Sequence, residues 1–334
     1  MNRSRFPSAL AWAVGVPLLL TAVSWVATVR YLQTTRQSVL VLGDSNIANY
    51  RIVPGERFED RLGEDLGPSW LVRNWGDIGA DPADQYLSLC KAELVRFEPS
   101  LVVLVLSPHA FIPDTTNPGH RFRDNGDGLR FLPWNGEGWR FFQTLTKSEK
   151  DRAIVGSTER LFGFYDAYLG YRWHDDWDEF RKTQAAVDPR ARDAAVEAYS
   201  QKITTWLDQN VRVDDYEAFS SLPNARDFVF FADALKARGT PLVVAILPAG
   251  NPAVLGRRFS DQTRRTLEAS YDYTLRILRE HRVPFVDYNA PIHRPRFGAA
   301  EYGDHYHLKS ASAYRYMADG VAAWITGHGA RRGS

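Results

Sequence analysis
Short runs of uninterrupted apolar residues stand out from an otherwise mixed chain. They are Val39–Leu42, Leu101–Leu106 and Leu242–Leu247, with shorter candidates at Trp70–Asn74 and Val283–Val286. Runs without a polar face predict strands covered on both sides, as in a parallel sheet. Between them the pattern changes to helical spacing with readable ends. Asp81 caps a helix to about Phe97, with Pro82 at its first position, and Asn224 caps one that closes at Arg238 ahead of Gly239. Ser260 opens a long helix to about His281, and Ser310 a terminal one ending near Gly327. Strand and helix alternate, so the predicted fold is α/β: a three-layer, doubly wound parallel sheet.

Two stretches break this alternation. Residues 113–223 begin with a Gly-, Asn- and Asp-rich segment between Asn117 and Gly128, carry Trp134, Trp139, Phe141 and Phe142, and read as helical from Ala194 to Leu207. A structureless loop of that size is uncommon in a compact domain, so the insertion is read as a helical cap over the carboxyl edge of the sheet. Its aromatics either pack beneath the cap or line a groove for sugar or lipid. The second exception is the amino end. Phe6 to Val29 carries no charged residue, and a helix of that length reaches roughly 36 Å, enough to cross a bilayer core. No clean small-x-small cleavage site follows it, which favours an uncleaved anchor over a signal peptide or a buried helix. Arg3 and Arg5 place the amino end in the cytoplasm, while Arg30 and Arg36 on the other flank pull the opposite way. The expected organisation is an anchor over 1–36 and an extracytoplasmic α/β domain over 37–334, with 113–223 inserted in it.

Composition narrows the functional classes. With 41 basic and 40 acidic residues the net charge is +1, which offers no electrostatic footprint for nucleic acid. The single cysteine, Cys90, excludes a disulfide framework and a thiolate metal cage. Cys90 lies in an apolar-periodic segment and reads as a buried small residue.

Chemistry concentrates at the end of the first apolar run, where Val39-Leu-Val-Leu-Gly-Asp-Ser-Asn46 delivers Ser45 to the carboxyl edge of the sheet. Its own N–H and the positive end of a following helix would favour an oxyanion there. Serine is a weak nucleophile unaided, and Asp304 with His307, in a loop before the terminal helix, supplies the missing pair. Residues three apart in a tight turn let the Asp304 carboxylate reach His307 Nδ1, which leaves Nε2 to take the serine proton. Asp-x-x-His alone arises by chance in surface loops; its combination with Gly-Asp-Ser is what points to a catalytic serine. Gly79 and His109 are candidate oxyanion donors, Gly79 through its main-chain N–H and His109 through its ring; the blander readings are turn geometry and a histidine satisfied by neighbouring backbone. Asp44 and Asn46 read as bracing the turn. His305 and His307 with Asp304 or Asp44 make only a thin metal set, without placed third and fourth ligands, and no cofactor or metal is expected. Ile47 stands where the second glycine of a Gly-x-Ser-x-Gly elbow would be, so this is not an ordinary α/β-hydrolase.

Gly43-Asp44-Ser45, Asn74-Trp-Gly-Asp-Ile-Gly79 and Asp304-x-x-His307 resemble blocks I, II and V of the SGNH/GDSL hydrolase superfamily. The finer resemblance is to the DltD family, membrane-anchored proteins of teichoic acid D-alanylation. Leu106-Ser-Pro-His-Ala-Phe111, Ile246-Leu-Pro-Ala-Gly-Asn251 and His307-Leu308 resemble that family's later segments. The resemblance implies Ser45, His307 and Asp304 as triad and Gly79 as oxyanion donor, with His109 where block III carries asparagine. DltD's Gln-Trp after Ser-Pro is His109-Ala110 here, and its Gly-Trp after His-Leu is Lys309-Ser310. These departures surround the site and bear on the acyl group and the acceptor. The resemblance also implies a membrane-bound O-acyltransferase as partner and a teichoic acid or other cell-surface polysaccharide as acceptor. The expected activity is a serine acyltransferase or esterase; the alternatives are a carbohydrate O-deacetylase and a non-catalytic scaffold of an acyltransferase complex.

Overall fold
A computed structural model describes residues 37–47, 55–76, 80–94, 97–108, 110–112, 129, 131–145, 147–158, 219, 222–250, 260–302 and 307–328. The anchor segment over 1–36 therefore lies outside the described residues. Among those described, no helix is long and apolar enough to cross a membrane.

The apolar runs become strands β1 (Gln37–Gly43), β2 (Trp70–Asn74), β3 (Leu101–Leu106), β4 (Leu242–Ile246) and β5 (Phe285–Asp287). They form a five-stranded sheet in the order β2-β1-β3-β4-β5, parallel throughout. β5 starts later than the apolar pattern suggests because Pro284 has no N–H for the ladder; its carbonyl still accepts from Val244 N. The order reverses at β1, since the chain moves outward to β2 and then returns to the other side of β1 as β3. Loops leaving β1 and β3 diverge at this point, where doubly wound sheets keep their ligands.

Helices α1 (Phe58–Leu66), α2 (Pro82–Leu94), α3 (Gly136–Thr144), α4 (Lys147–Thr158), α5 (Pro223–Ala237), α6 (Asp261–Glu280) and α7 (Ala311–His328) accompany the sheet. Alternate strand residues point to opposite faces, so two cores form. Leu40, Leu42, Val102 and Leu104 pack with Tyr86 of α2, Phe228 and Phe231 of α5, and Ile277 of α6. Val39, Val41, Val103 and Val105 pack with Phe58 and Leu62 of α1 and Met317 and Val321 of α7. Cys90 lies in the first core, where burial pushes its thiol up to about 12.

The predicted helix ends hold in part. Asp81 Oδ1 accepts from Ala83 N and Asp84 N at 2.9 and 3.0 Å, capping α2, and Ser310 Oγ accepts from Ala313 N at the start of α7. The start of α5 differs. Its cap is Leu222, with Pro223 in the first turn, because proline already holds helical φ. Asn224 is turned inward and donates to the Ala110 carbonyl at 3.0 Å. Helix α1 was not expected from the pattern: its stretch Phe-Glu-Asp-Arg-Leu-Gly-Glu-Asp-Leu carries apolar residues only at 58, 62 and 66, one narrow stripe in a strongly charged segment.

Of the insertion over 113–223, α3 and α4 are described. Phe141 is buried against Tyr86 and Phe230, and Glu137 accepts from the Tyr86 hydroxyl at 2.9 Å and pairs with Arg238. The first part of the insertion thus seats on the α2–α5 layer, while residues 159–218, on which the cap expectation rests, lie outside the described residues. The aromatics divide: Phe141 and Phe142 are buried, whereas Trp134 and Trp139 are half exposed.

Candidate active site
β1 ends at Gly43, a position where sterics require glycine. A Cβ there would stand 2.9 Å from the Val105 carbonyl oxygen and 3.0 Å from Ile47 side-chain atoms, distances that only glycine avoids. The chain then turns over residues 44–47, with Ile47 N donating to the Asp44 carbonyl at 2.9 Å. No helix follows Ser45 directly among the described residues; α1, the next one, begins at Phe58. Residues 48–54, where a helix following the serine would start, lie outside the described residues; the turn that carries Ser45 is held from several sides.

Those supports come from distant segments. Gln85 of α2 donates Nε2–H to the Gly43 carbonyl at 3.1 Å. Asn74, closing β2, donates to the Ile47 carbonyl at 2.6 Å and accepts from Gly76 N at 2.8 Å. Gly76 passes so near that a Cβ would lie 2.9 Å from Ile47 Cγ2. The β2 exit loop is in this way laid against the serine turn.

The other half arrives from the carboxyl end. Tyr302 and Leu308 form an isolated antiparallel bridge, and Lys309 N donates to the Glu301 carbonyl at 2.8 Å. These bonds bring the two ends of the segment 303–306 together and set His307 at the mouth of the sheet. Ser45 Oγ lies 2.7 Å from His307 Nε2, a hydrogen-bond distance for a hydroxyl and a ring nitrogen. Ser45 is largely buried, so little water competes for that bond. The two residues are separated by 262 positions; only the fold makes them neighbours.

Asp304, Gly79 and His109, and His305 of the metal alternative, fall outside the described residues. Pro108, just before His109, is held by Ser270, whose hydroxyl donates to its carbonyl at 3.0 Å. Asp44 Oδ1 accepts from Asn46 N at 2.9 Å, the bracing role expected of it. Among the described residues no three His, Cys, Asp or Glu side chains gather to hold a metal ion. Gln85 and Tyr314, whose hydroxyl donates to the Asn46 carbonyl, were not singled out from the sequence, and Asn74 entered only as the first residue of the block II segment, with no role of its own. Asn74 carried a usable signal, since asparagine at a strand end ahead of Gly76 suits a side chain that bonds backbone; buried Gln85 and Tyr314 carried none.

Together these define a doubly wound parallel α/β protein that presents a serine–histidine pair at its topological switch point. No protein-family model matches the chain, and no curated protein matches it in sequence. Among solved structures it is similar to Est24, a carbohydrate acetylesterase from Sinorhizobium meliloti, at 12% identity and a TM-score of 0.39 over 88% of this chain and 100% of that one. It is similar also to an aryl esterase of M. smegmatis, at 13% identity and a TM-score of 0.37 over 87% and 99%. The lipase/acylhydrolase from Enterococcus faecalis matches at 11% identity and 0.37 over 89% and 100%.

Proposed function
We propose that this chain is a serine-nucleophile acyl-group enzyme of the SGNH/GDSL type, DltD-like in its attachment to the membrane and in its surface-glycan acceptor. The observation that carries the proposal is the contact between Ser45 Oγ and His307 Nε2 at 2.7 Å. As Oγ attacks the acyl carbonyl, Nε2 takes its proton, and a tetrahedral oxyanion forms. The imidazolium returns that proton to the departing donor oxygen as the acyl C–O bond breaks, leaving an acyl-serine. A glycan hydroxyl then gives its proton to Nε2 and attacks the acyl-serine, and Ser45 recovers its hydrogen as it leaves. Asp304 orients the ring, and Ser45 N–H, Gly79 N–H and His109 serve the oxyanion. The Gly-Asp-Ser and Asp-x-x-His motifs support these assignments, and the uncharged stretch from Phe6 to Val29 supports a body outside the cytoplasmic membrane. In this reading a membrane-bound O-acyltransferase delivers the acyl group.

The test is Ser45→Ala in the full-length chain. Fluorophosphonate labelling disappears in the variant, and turnover of an activated ester falls about 10⁴-fold or more. In cells carrying the variant, surface O-acyl ester content falls. A rise would identify a deacetylase instead. Unchanged ester content with the variant stably expressed would leave only a scaffold.

A further inference from the structure
Asn46, fully buried beside the nucleophile, is engaged at both of its oxygens by the chain that follows His307. Its side-chain Oδ1 accepts from Leu308 N at 3.1 Å, and its main-chain carbonyl accepts from the Tyr314 hydroxyl. The amide is oriented from the opposite side: Asp44 Oδ1 receives Asn46 N–H at 2.9 Å and Asn46 Nδ2–H at 3.3 Å. With Nδ2 committed to a carboxylate, Oδ1 is the atom left to face Leu308. Leu308 is buried and held on its other side by the bridge to Tyr302. Its peptide is therefore clamped between the serine turn and Tyr302, one residue beyond the imidazole that meets Ser45.

We propose that Asn46 is a positioning residue that sets the reach between Ser45 Oγ and His307 Nε2. This rests on the reading of Ser45 as nucleophile and His307 as base. The physical reason is that proton transfer tolerates little slack: a displacement of about 1 Å costs on the order of 10²-fold in rate. Nothing covalent joins the two halves of the site, and an amide that spans both holds that distance directly. A buried peptide N–H also needs an acceptor. Removing Oδ1 therefore does more than delete a bond, because the Leu308 peptide must shift to find another partner and carries His307 with it.

The test compares Asn46→Ala, Asn46→Asp and the exchange Asp44→Asn/Asn46→Asp in the full-length chain. The readouts are hydrolysis of p-nitrophenyl acetate and the rate of fluorophosphonate labelling, with melting temperature recorded for each variant. Asn46→Ala lowers kcat about 10- to 100-fold with KM within about 2-fold, and slows labelling by the same factor. Asn46→Asp is similarly slow, because two carboxylates then face each other across the turn. The exchange restores an amide opposite a carboxylate while keeping an oxygen at position 46 for Leu308 N–H, so kcat recovers to within about 5-fold of the parent. A merely structural asparagine would lower melting temperature with kcat and labelling rate unmoved. That result, or an exchange variant as slow as Asn46→Asp, overturns the proposal. Ser45→Ala run alongside separates the two readings. If it stays as active as the parent, the nucleophile assignment falls; if it is inactive while folded Asn46 variants keep the parental rate, only the role of Asn46 falls.

Discussion

On the face of the sheet formed by Leu40, Leu42, Val102 and Leu104, packing is supplied by the middle of the chain. Phe111 meets Phe228 edge-on at 5.6 Å and Tyr273 at 5.3 Å, and Cys90 is sealed among these helices. On the opposite face, α1 from near the start of the sequence and α7 from its end close over Val41, Val103 and Val105. Here buried tyrosines use their hydroxyls on main-chain carbonyls: Tyr288 donates to Met317 O at 2.5 Å and Tyr314 to Asn46 O. Directed bonds serve both faces: on the first they join middle segments, as in Tyr86 to Glu137, Asn224 to Ala110 and Ser270 to Pro108, and on the second the Tyr314 bond joins the two ends of the chain. The serine–histidine pair stands over the second face, since Ile47 and Leu308, flanking its two halves, both belong to that core. Dispersion and burial tolerate small shifts, whereas a hydrogen bond between distant segments fixes a distance.

The comparison can be broken most severely on the first face. Phe228→Ala empties a fully buried ring site and is expected to cost about 3–5 kcal/mol, read as a lower urea midpoint. The folded fraction should keep its kcat on an activated ester. A large kcat loss there would mean that the two faces are not separate in function.

A smaller change on the other face should move both quantities. Tyr314→Phe keeps the ring and strands the buried Asn46 carbonyl, costing about 1–3 kcal/mol. Because that carbonyl belongs to the serine turn, kcat should fall several-fold as well, and urea unfolding with steady-state kinetics on one preparation checks both. Stability loss without kcat loss would separate the Tyr314 bond from the site.

The smallest effect sharpens the contrast at the start of α2. Asp81 is half-buried, and desolvation, with Asp84 and Asp227 close by, holds its carboxyl well above the usual range. The native state therefore keeps this proton more tightly than the unfolded chain. The associated stability is complete below the ordinary carboxylate pKa and is lost as pH rises through the raised native value. Asp81→Asn cannot ionise, yet it retains an oxygen for Ala83 N and Asp84 N. It should be more stable than the parent at pH 8 by about 1 kcal/mol, within the range of single stabilising substitutions. The difference should vanish near pH 4, and thermal melts at the two pH values decide it. A variant less stable at pH 8 would show that the carboxylate, not the neutral acid, is what the cap requires.

By itself the sequence determined what depends on near neighbours. Unbroken apolar runs marked β1, β3 and β4 because strands covered on both faces have no polar side to show. Asp81 and Ser310 marked helix starts because a cap bonds residues two or three positions on. Ser45 and His307 were readable as chemical types at an edge and in a loop. What only the tertiary structure decided is every relation that spans the chain: Ser45 against His307, Asn46 against Leu308 and Tyr314, Gln85 under Gly43, and Asn224 turned from its expected cap to the Ala110 carbonyl. Helix α1 belongs with these, since its charged stretch is stabilised by packing against the sheet and α7 rather than by a pattern of its own. Local spacing records torsions and periodicity, while hydrogen bonds across 262 and 268 positions leave no trace in spacing and exist only once the sheet has brought the two ends of the chain together.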